Sequence, residues 1–433
     1  MKFIIWSFVL VGVNFQAIGQ LCVPDSSTAF LDYENQAFTV SYDAIGNPRL
    51  YRQCTDTSNQ VFVNTLNTCS VLTNPIDGLG MSPADNFLYG LMATDDLGIG
   101  SHLELSFPFS APGMPGDMMQ ADPVDVYRIG NDAGYQRIGS IEPPPEDATL
   151  PVNTDQVIPL VHTAASFNQD GDLFVLGYKT NYQSSADVLA GTGEVLYQSP
   201  NIMIGQVSGA DLTAASGGVI PAVWQQADTS TDAVCQAVMN QFRDRTNTFS
   251  ECVVADFIAN ALGGAGAADA ALQTCLASTA VMDFGIHDFA VSPANGNYYA
   301  LDSTSFDETD VLIEVDANTM QASCTNFADV GGTTGVLTSL MFSEQNRLVA
   351  MFADENTGRW IDVNTGVITT LSESIAPFPF GDGSSLPFAS IFRSVTNALA
   401  GSGDLIFSNG FEGDLIFANG FEGQAVPPVC SSF

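Results

Sequence analysis

The chain has 433 residues, with 48 acidic against 11 basic side chains and a formal net charge of −37. A surface this acidic repels phosphate backbones and anionic membranes, which removes nucleic acid from the partner classes. Hydrophobic residues make up 45% of the chain, enough for a large core, and they fall in short, alternating, aromatic stretches rather than at helical spacing.

Lys2 is followed by the apolar run Phe3 to Val13, with Ala17 and Gly19 at the small-residue positions before a cleavage. This predicts a secretory signal peptide over residues 1–19. Its core is shorter than the ~20 apolar residues of a membrane helix, and no later stretch approaches that length. The mature chain is therefore expected outside the cell, secreted or at the cell surface, with no integral membrane segment. All eight cysteines follow the signal: Cys22, Cys54, Cys69, Cys235, Cys252, Cys275, Cys324 and Cys430. An even number in an oxidising compartment reads as disulfides, whose pairing the sequence leaves open. No CxxC pair is present.

From Ala37 the chain reads as hairpins. "AFTVSYDAIGNPRLYRQC" with "QVFVNTLNTCSVL" (Ala37 to Leu72) makes a first unit. "IDGLGMSPADNFLYG" (Ile76 to Gly90) then aligns without a gap on "IHDFAVSPANGNYYA" (Ile286 to Ala300), and weaker copies run from Val161 to Gly177 and from Leu337 to Ala350. Each copy is two strands around a turn rich in Asn, Asp and Gly, and each is followed by a second hairpin: Val124 to Ile141, Glu194 to Val207, Val311 to Ser323 and Arg359 to Leu371. Two hairpins make a four-stranded unit, and such units repeating at roughly 40 to 50 residues are propeller blades. The expected fold is an all-β β-propeller of about five to seven blades over residues 20–396. A closing strand is expected between Ala376 and Arg393.

Three stretches interrupt the repeat. Leu97 to Pro123 is rich in Gly, Pro and Met, and Glu142 to Pro151 is a stiff proline connector. Over about residues 228–278 the apolar period changes: Val234, Val238 and Phe242, then Val253, Val254, Phe257, Ile258 and Leu262, recur at three and four residues. This predicts a helical insertion, started by Asp232, that caps one face of the propeller.

The "IDGLGMSPADNFLYG" pattern followed by a "VYRIG" strand resembles an uncharacterised family of secreted bacterial β-propeller-like domains, over roughly Asp77 to Leu371. The resemblance implies a propeller and extracellular life, and brings no known reaction.

In a propeller the innermost strand of each blade lines the central channel. The second position of the four aligned copies holds Asp77, His162, His287 and Thr338, and Asp288 follows His287. A ring of carboxylate, imidazoles and hydroxyl could hold a metal or polarise a substrate carbonyl; polar strand ends lining a wet channel are the structural alternative. Asn168, Asp170 and Asp172 cluster like a calcium loop without the bidentate Glu of an EF-hand, which favours a hairpin turn; Asp302, Asp307, Glu308 and Asp310 form another acidic loop. Ca²⁺ is the cofactor such loops would take. No GxSxG, HExxH or phosphate-cradling glycine motif is present.

The chain ends, over residues 397–433, in a tail whose decapeptide "GDLIFSNGFE" (Gly403 to Glu412) is repeated as Gly413 to Glu422 with Ser408 replaced by Ala418. The "IFxNGFE" element resembles short C-terminal motifs of secreted gamma-proteobacterial proteins, which implies sorting or docking to the secretion machinery or cell surface. The sequence thus points first to a non-enzymatic propeller module for a protein or glycan ligand. A propeller hydrolase or lyase using Asp77, His162 and His287 is the alternative.

Overall fold

A computed structural model describes residues 29–30, 37–42, 48–54, 59–66, 76–93, 124–131, 133–145, 156–184, 195–197, 201–244, 286–302, 309–328, 337–343, 346–352, 358–365, 367–370 and 381–385. The chain is an all-β propeller, and among these residues its strands form five sheets.

Blade 1 holds β1 (Ala37–Tyr42), β2 (Pro48–Cys54) and β3 (Asn59–Thr65). Blade 2 holds β4 (Asp77–Met81), β5 (Leu88–Ala93), β6 (Val124–Ile129) and β7 (Tyr135–Ile141). Blade 3 is built from β8 (Gln156–Phe167), β9 (Leu173–Ser184), β10 (Val195–Tyr197) and β11 (Asn201–Val207). A short helix α1 (Gly209–Ala214) and the strands β12 (Val219–Ile220) and β13 (Val223–Gln226) follow. Blade 4 is β14 (Ile286–Val291), β15 (Tyr298–Asp302), β16 (Thr309–Val315) and β17 (Ala322–Ala328). Blade 5 is β18 (Leu337–Phe342), β19 (Arg347–Phe352), β20 (Arg359–Asp362) and β21 (Ile368–Thr370). The last described strand, β22 (Gly381–Ser385), returns to pair antiparallel with β1, Ala37 opposite Ser385 and Ser41 opposite Gly381. Strands from the two ends of the chain therefore share one blade, and β22 falls inside the stretch expected to supply the closing strand.

The innermost strands β22, β4, β8, β14 and β18 touch their neighbours in that cyclic order. The core divides accordingly into layers between blades. Phe38, Val40 and Leu50 of blade 1 pack with Leu79 and Leu88 of blade 2 and with Met351 and Trp360 of blade 5. Further layers fill the spaces between blades 2 and 3, 3 and 4, and 4 and 5. A sheet covered on both faces has no solvent side, so the inner strands lose the apolar/polar alternation. Every residue of β18 is buried, whereas β21 at the rim has none buried.

The hairpin turns follow from local chemistry. Asn86 and Gly296 close the matched turns of blades 2 and 4 with left-handed φ values of 57° and 76°, a conformation that glycine and asparagine tolerate best. Asp316 and Asp362 each begin an Asp-x-Asn-Thr turn between the outer strands, the carboxylate accepting from the amides two and three residues on.

The insertion is helical over 233–244. Asp232 Oδ1 accepts from the amides of Val234 at 2.8 Å and Cys235 at 3.0 Å, capping its start as the sequence predicts. The cap expected over one face falls largely on residues 245–278, outside the described residues. Cys235, Val238 and Met239 are buried with Ile202 and Ile204 of β11 and Ala322 and Cys324 of β17, so this part is a wedge at the rim between blades 3 and 4. A disulfide from Cys235 to Cys324 fixes it to the outermost strand of blade 4. Residues 245–285 lie outside the described part.

Candidate functional site

The four matched positions fall on the inner strands of four consecutive blades, and each sits at an irregularity of its ladder. In β14, Ile286 pairs with Asp302 and the next pair is Phe289 with Ala300, so His287 and Asp288 occupy the place of one residue. In β4 the shift lies between Asp77, still paired with Leu91, and Gly80, so Gly78 and Leu79 hold the bulge and Asp77 takes the ladder place of Ile286; in β18 it lies between Leu337 and Ser339, around Thr338. In β8 it lies between Val161 and Ala165 and holds His162, Thr163 and Ala164, one residue more. Counted from the turn, Thr163 matches His287; counted from the paired residue that enters the bulge, His162 does. The repeat is thus a repeated β-bulge, a device that re-aims side chains beside functional sites.

The described side chains in these bulges serve the scaffold. Asp288 is buried; its Oδ1 accepts from the Phe289 amide at 2.8 Å and its Oδ2 from the Leu340 amide of blade 5 at 2.7 Å. Thr338 donates its hydroxyl to the Met351 carbonyl at 3.1 Å. Asp77, His162 and His287 are placed by their strands alone.

The two ends of the channel differ. At one end the inner hairpins turn tightly and interlock. A Cβ added to Gly171 in the blade 3 turn would lie 2.7 Å from the Ala84 Cβ of blade 2. Gln169 donates to the Pro293 carbonyl of blade 4 at 3.0 Å, and Ser292 to Asn346 Oδ1 of blade 5 at 2.7 Å. Aromatic pairs Tyr89–Phe167, Phe174–Tyr298 and Tyr299–Phe342 link the same blades with ring centroids 5.2 to 5.4 Å apart. Burial pushes the Tyr89 and Tyr299 hydroxyls far above the usual phenol range, reinforced by the neighbouring carboxylates of Asp85 and Glu314, so both stay neutral donors. The opposite end carries the bulges, and from it leave the connections 94–123, 303–308 and 353–357, which lie outside the described residues. There β8 and β9 run on beyond the bulge, Gln156 still pairing with Tyr182, and β10 adds to them with Val195 opposite Ser184. Blade 3 therefore projects at this end, beside His162.

The acidic loops serve structure where they are described. Asn168 Oδ1 accepts from the amides of Asp170 and Asp172 at 3.1 and 2.9 Å, and Asp172 accepts from Gln206 and from the Gly209 amide at 2.8 and 3.0 Å. That stretch is a hairpin turn. Asp302 and Asp310 are buried in blade 4, and Asp307 lies outside the described residues. Among the described residues no three His, Cys, Asp or Glu gather as a metal site, and no helix is long and apolar enough to cross a membrane.

Two arrangements escape sequence reasoning. Arg137 donates from Nε and Nη2 to Asp125 at 2.6 and 2.8 Å and from Nη2 to Ser140 at 2.6 Å. No local pattern marks this cluster, because its members meet only through the β6–β7 register. The segment Val219 to Gln226 straps two blades, β12 running parallel to β7 and β13 antiparallel to β11. Its valines Val219 and Val223 are exposed.

The sequence matches no known protein family and no curated protein. Among solved structures the chain is similar to one from a nidogen/laminin complex, at 9% identity, 81% coverage of each chain and a TM-score of 0.32. It is similar to a streptogramin B lyase at 6% identity, covering 81% of this chain and 72% of the other with a TM-score of 0.28. A putative 6-phosphogluconolactonase from Bacteroides uniformis is 9% identical, with 81% and 99% covered and a TM-score of 0.30. At this distance the likenesses carry no argument about activity or ligand.

Proposed function

We propose that the protein is an exported binding module that takes a protein or glycan ligand at the bulged end of its channel. The observation that carries this reading is the difference between the ends: one is closed by turns bonded blade to blade, while the other gathers the bulges, the projecting strands of blade 3 and the long connections. A rigid scaffold that presents variable loops at one end is the usual arrangement of a binding protein. The high negative charge suits a soluble extracellular protein, and the duplicated "IFxNGFE" tail is read as a docking or sorting tag. Export is part of the same reading, supported by the signal-like start of the chain and by a disulfide with the loop it closes.

The test is binding of the labelled full chain to a glycan array and to intact producing cells. Replacing residues 97–123 with a Gly/Ser linker is expected to abolish binding, and Gln169→Ala at the closed end to leave it intact. Binding that resists the replacement but fails in Gln169→Ala, or no binding to either probe, would overturn the reading. A hydrolase or lyase is the second reading, favoured by the bulges that hold two histidines and a carboxylate; for it, His162→Gln would abolish turnover without altering the melt.

A further inference from the structure

We propose that Asn295, in the inner turn of blade 4, is a modification site: it loses its side-chain amide by cyclising onto the Gly296 nitrogen, and the carboxylate left behind loosens the closed end of the channel. Asn-Gly occurs three times in the chain, at Asn295, Asn409 and Asn419, and the first lies among the described residues. Glycine after asparagine leaves the reaction open, because no Cβ crowds the attacking nitrogen. Asn295 is exposed, so water reaches it. In the step the Gly296 nitrogen, its proton taken by hydroxide, bonds to Asn295 Cγ, and the Cγ–Nδ2 bond breaks to release ammonia. Water then opens the cyclic imide to aspartate or, with the main chain rerouted through the side chain, to isoaspartate. Nothing is oxidised or reduced. Two bonds hold the turn in its unreacted form: Gly296 donates its amide to the Ser292 carbonyl at 2.9 Å, and Asn295 Oδ1 accepts from the Asn297 amide at 3.0 Å. The turn must open before it reacts.

The product matters because of the charges around it. Asn295, Tyr299 and Glu314 of blade 4 occupy the places of Asp85, Tyr89 and Arg128 of blade 2, the first two by the gapless alignment and the third by strand register. In blade 2 the Tyr89 hydroxyl donates to Asp85 Oδ2 at 2.6 Å, and the Arg128 charge lies beside them. In blade 4 the acid stands on the other strand. Tyr299 donates to Glu314 Oε1 at 2.7 Å, Asn297 Nδ2 donates to the same oxygen at 2.7 Å, and Asn295 is a further hydrogen-bond partner of Tyr299. A carboxylate at position 295 competes with Glu314 for one phenol proton, and it meets glutamate where blade 2 has arginine. Like charges on facing strands destabilise a sheet. The same turn bonds blade 4 to both neighbours, its Pro293 carbonyl accepting from Gln169 and Ser292 donating to Asn346. The disturbance therefore acts where the blades interlock.

The experiment is incubation of the folded full chain in mildly alkaline buffer, with peptide mapping by mass spectrometry and a parallel sample in urea. A gain of one mass unit at Asn295, with isoaspartate in the product, is expected in both, at least about tenfold faster in urea, where no turn has to open first. Asn295→Asp is expected to lower the urea midpoint of unfolding. Asn295→Asp/Glu314→Gln should regain much of that loss, since it leaves one carboxylate to take the phenol proton, and a double-mutant cycle reads the coupling directly. Asn295 intact in the folded chain after an incubation about a hundredfold longer than the urea sample needs would overturn the site. An unmoved midpoint in Asn295→Asp, or a loss that Glu314→Gln leaves unchanged, would overturn the charge conflict. If Asn295→Asp fails to fold, the aged wild-type chain, separated by charge from the unreacted one, is unfolded in its place: a lower midpoint is expected, and equal midpoints overturn the proposal.

Discussion

Asp288 Oδ2 accepts a 2.7 Å hydrogen bond from the Leu340 amide, joining the inner strand of blade 4 to that of blade 5. The carboxylate is buried and also accepts from its neighbour Phe289. Removing it strands a buried amide between two blades, and a hydrogen bond to a charged group is worth about 1.5–3 kcal/mol. Asp288→Ala is expected to lower the unfolding free energy by that amount in urea titration; an unmoved midpoint would show that the blades are held together without it.

The Cys235–Cys324 bond closes a loop with a sequence separation of 89 residues. Chain-entropy reasoning gives such a closure about 4–5 kcal/mol, with measured values often nearer 2–4. The Cys235→Ala/Cys324→Ala variant should lose stability in that range, and early proteolysis should cut near the freed helix at 233–244. Equal stability of the two forms would contradict the wedge described here.

Asp232 links stability to pH. The Cys235 amide holds its carboxyl below the usual range against opposing burial, helped by the amides of Cys324 and Val234. A carboxylate whose folded pKa is depressed adds stability above its unfolded pKa of about 3.9 and loses it as pH falls through the folded value. Asp316, held low by its Thr319 and Asn318 contacts, acts in the same direction. Stability should therefore fall below about pH 4. Asp232→Ala should cost about 1 kcal/mol at pH 7, and Asp232→Asn much less, because asparagine caps as well. Equal losses at pH 7 would contradict the capping role.

Gly80 sets the spacing of two inner strands, β4 and β8. A Cβ there would lie 2.7 Å from the Phe167 ring of β8. Gly80→Val should cost about 1–3 kcal/mol by overpacking, read as a lowered urea midpoint. A variant with normal stability would mean that the inner strands have slack.

Ring closure separates the blade strand from the tail. A chain ending at residue 396 keeps β22 and should melt like the full chain. One ending at residue 370 loses the partner of β1 and should lose its cooperative transition.

Much of this architecture is legible in the sequence because blades repeat local chemistry. The Ser-Pro-Ala turns of blades 2 and 4 begin with matching backbone bonds, Ser82 to the Phe87 carbonyl at 2.9 Å and Ser292 to the Asn297 carbonyl at 2.8 Å. Asp232 is readable because a helix start has a local signature. The strap over Val219 to Gln226 is not readable, because its parallel pairing with β7 joins residues remote in sequence. Nor is the extra bulge residue in β8: buried inner strands have no alternation to betray an insertion, so "VHTAASF" does not reveal whether His162 or Thr163 matches His287. The interblade task of Asp288 is hidden for the same reason, since its partner amide belongs to another repeat.

The most direct measurement is binding of the labelled full chain to intact producing cells and to a glycan array, set beside the chain in which a Gly/Ser linker replaces residues 97–123 and beside Gln169→Ala. The account predicts binding that the linker replacement abolishes and Gln169→Ala leaves intact. Binding that survives the replacement but fails in Gln169→Ala, or no binding to either probe, would contradict it.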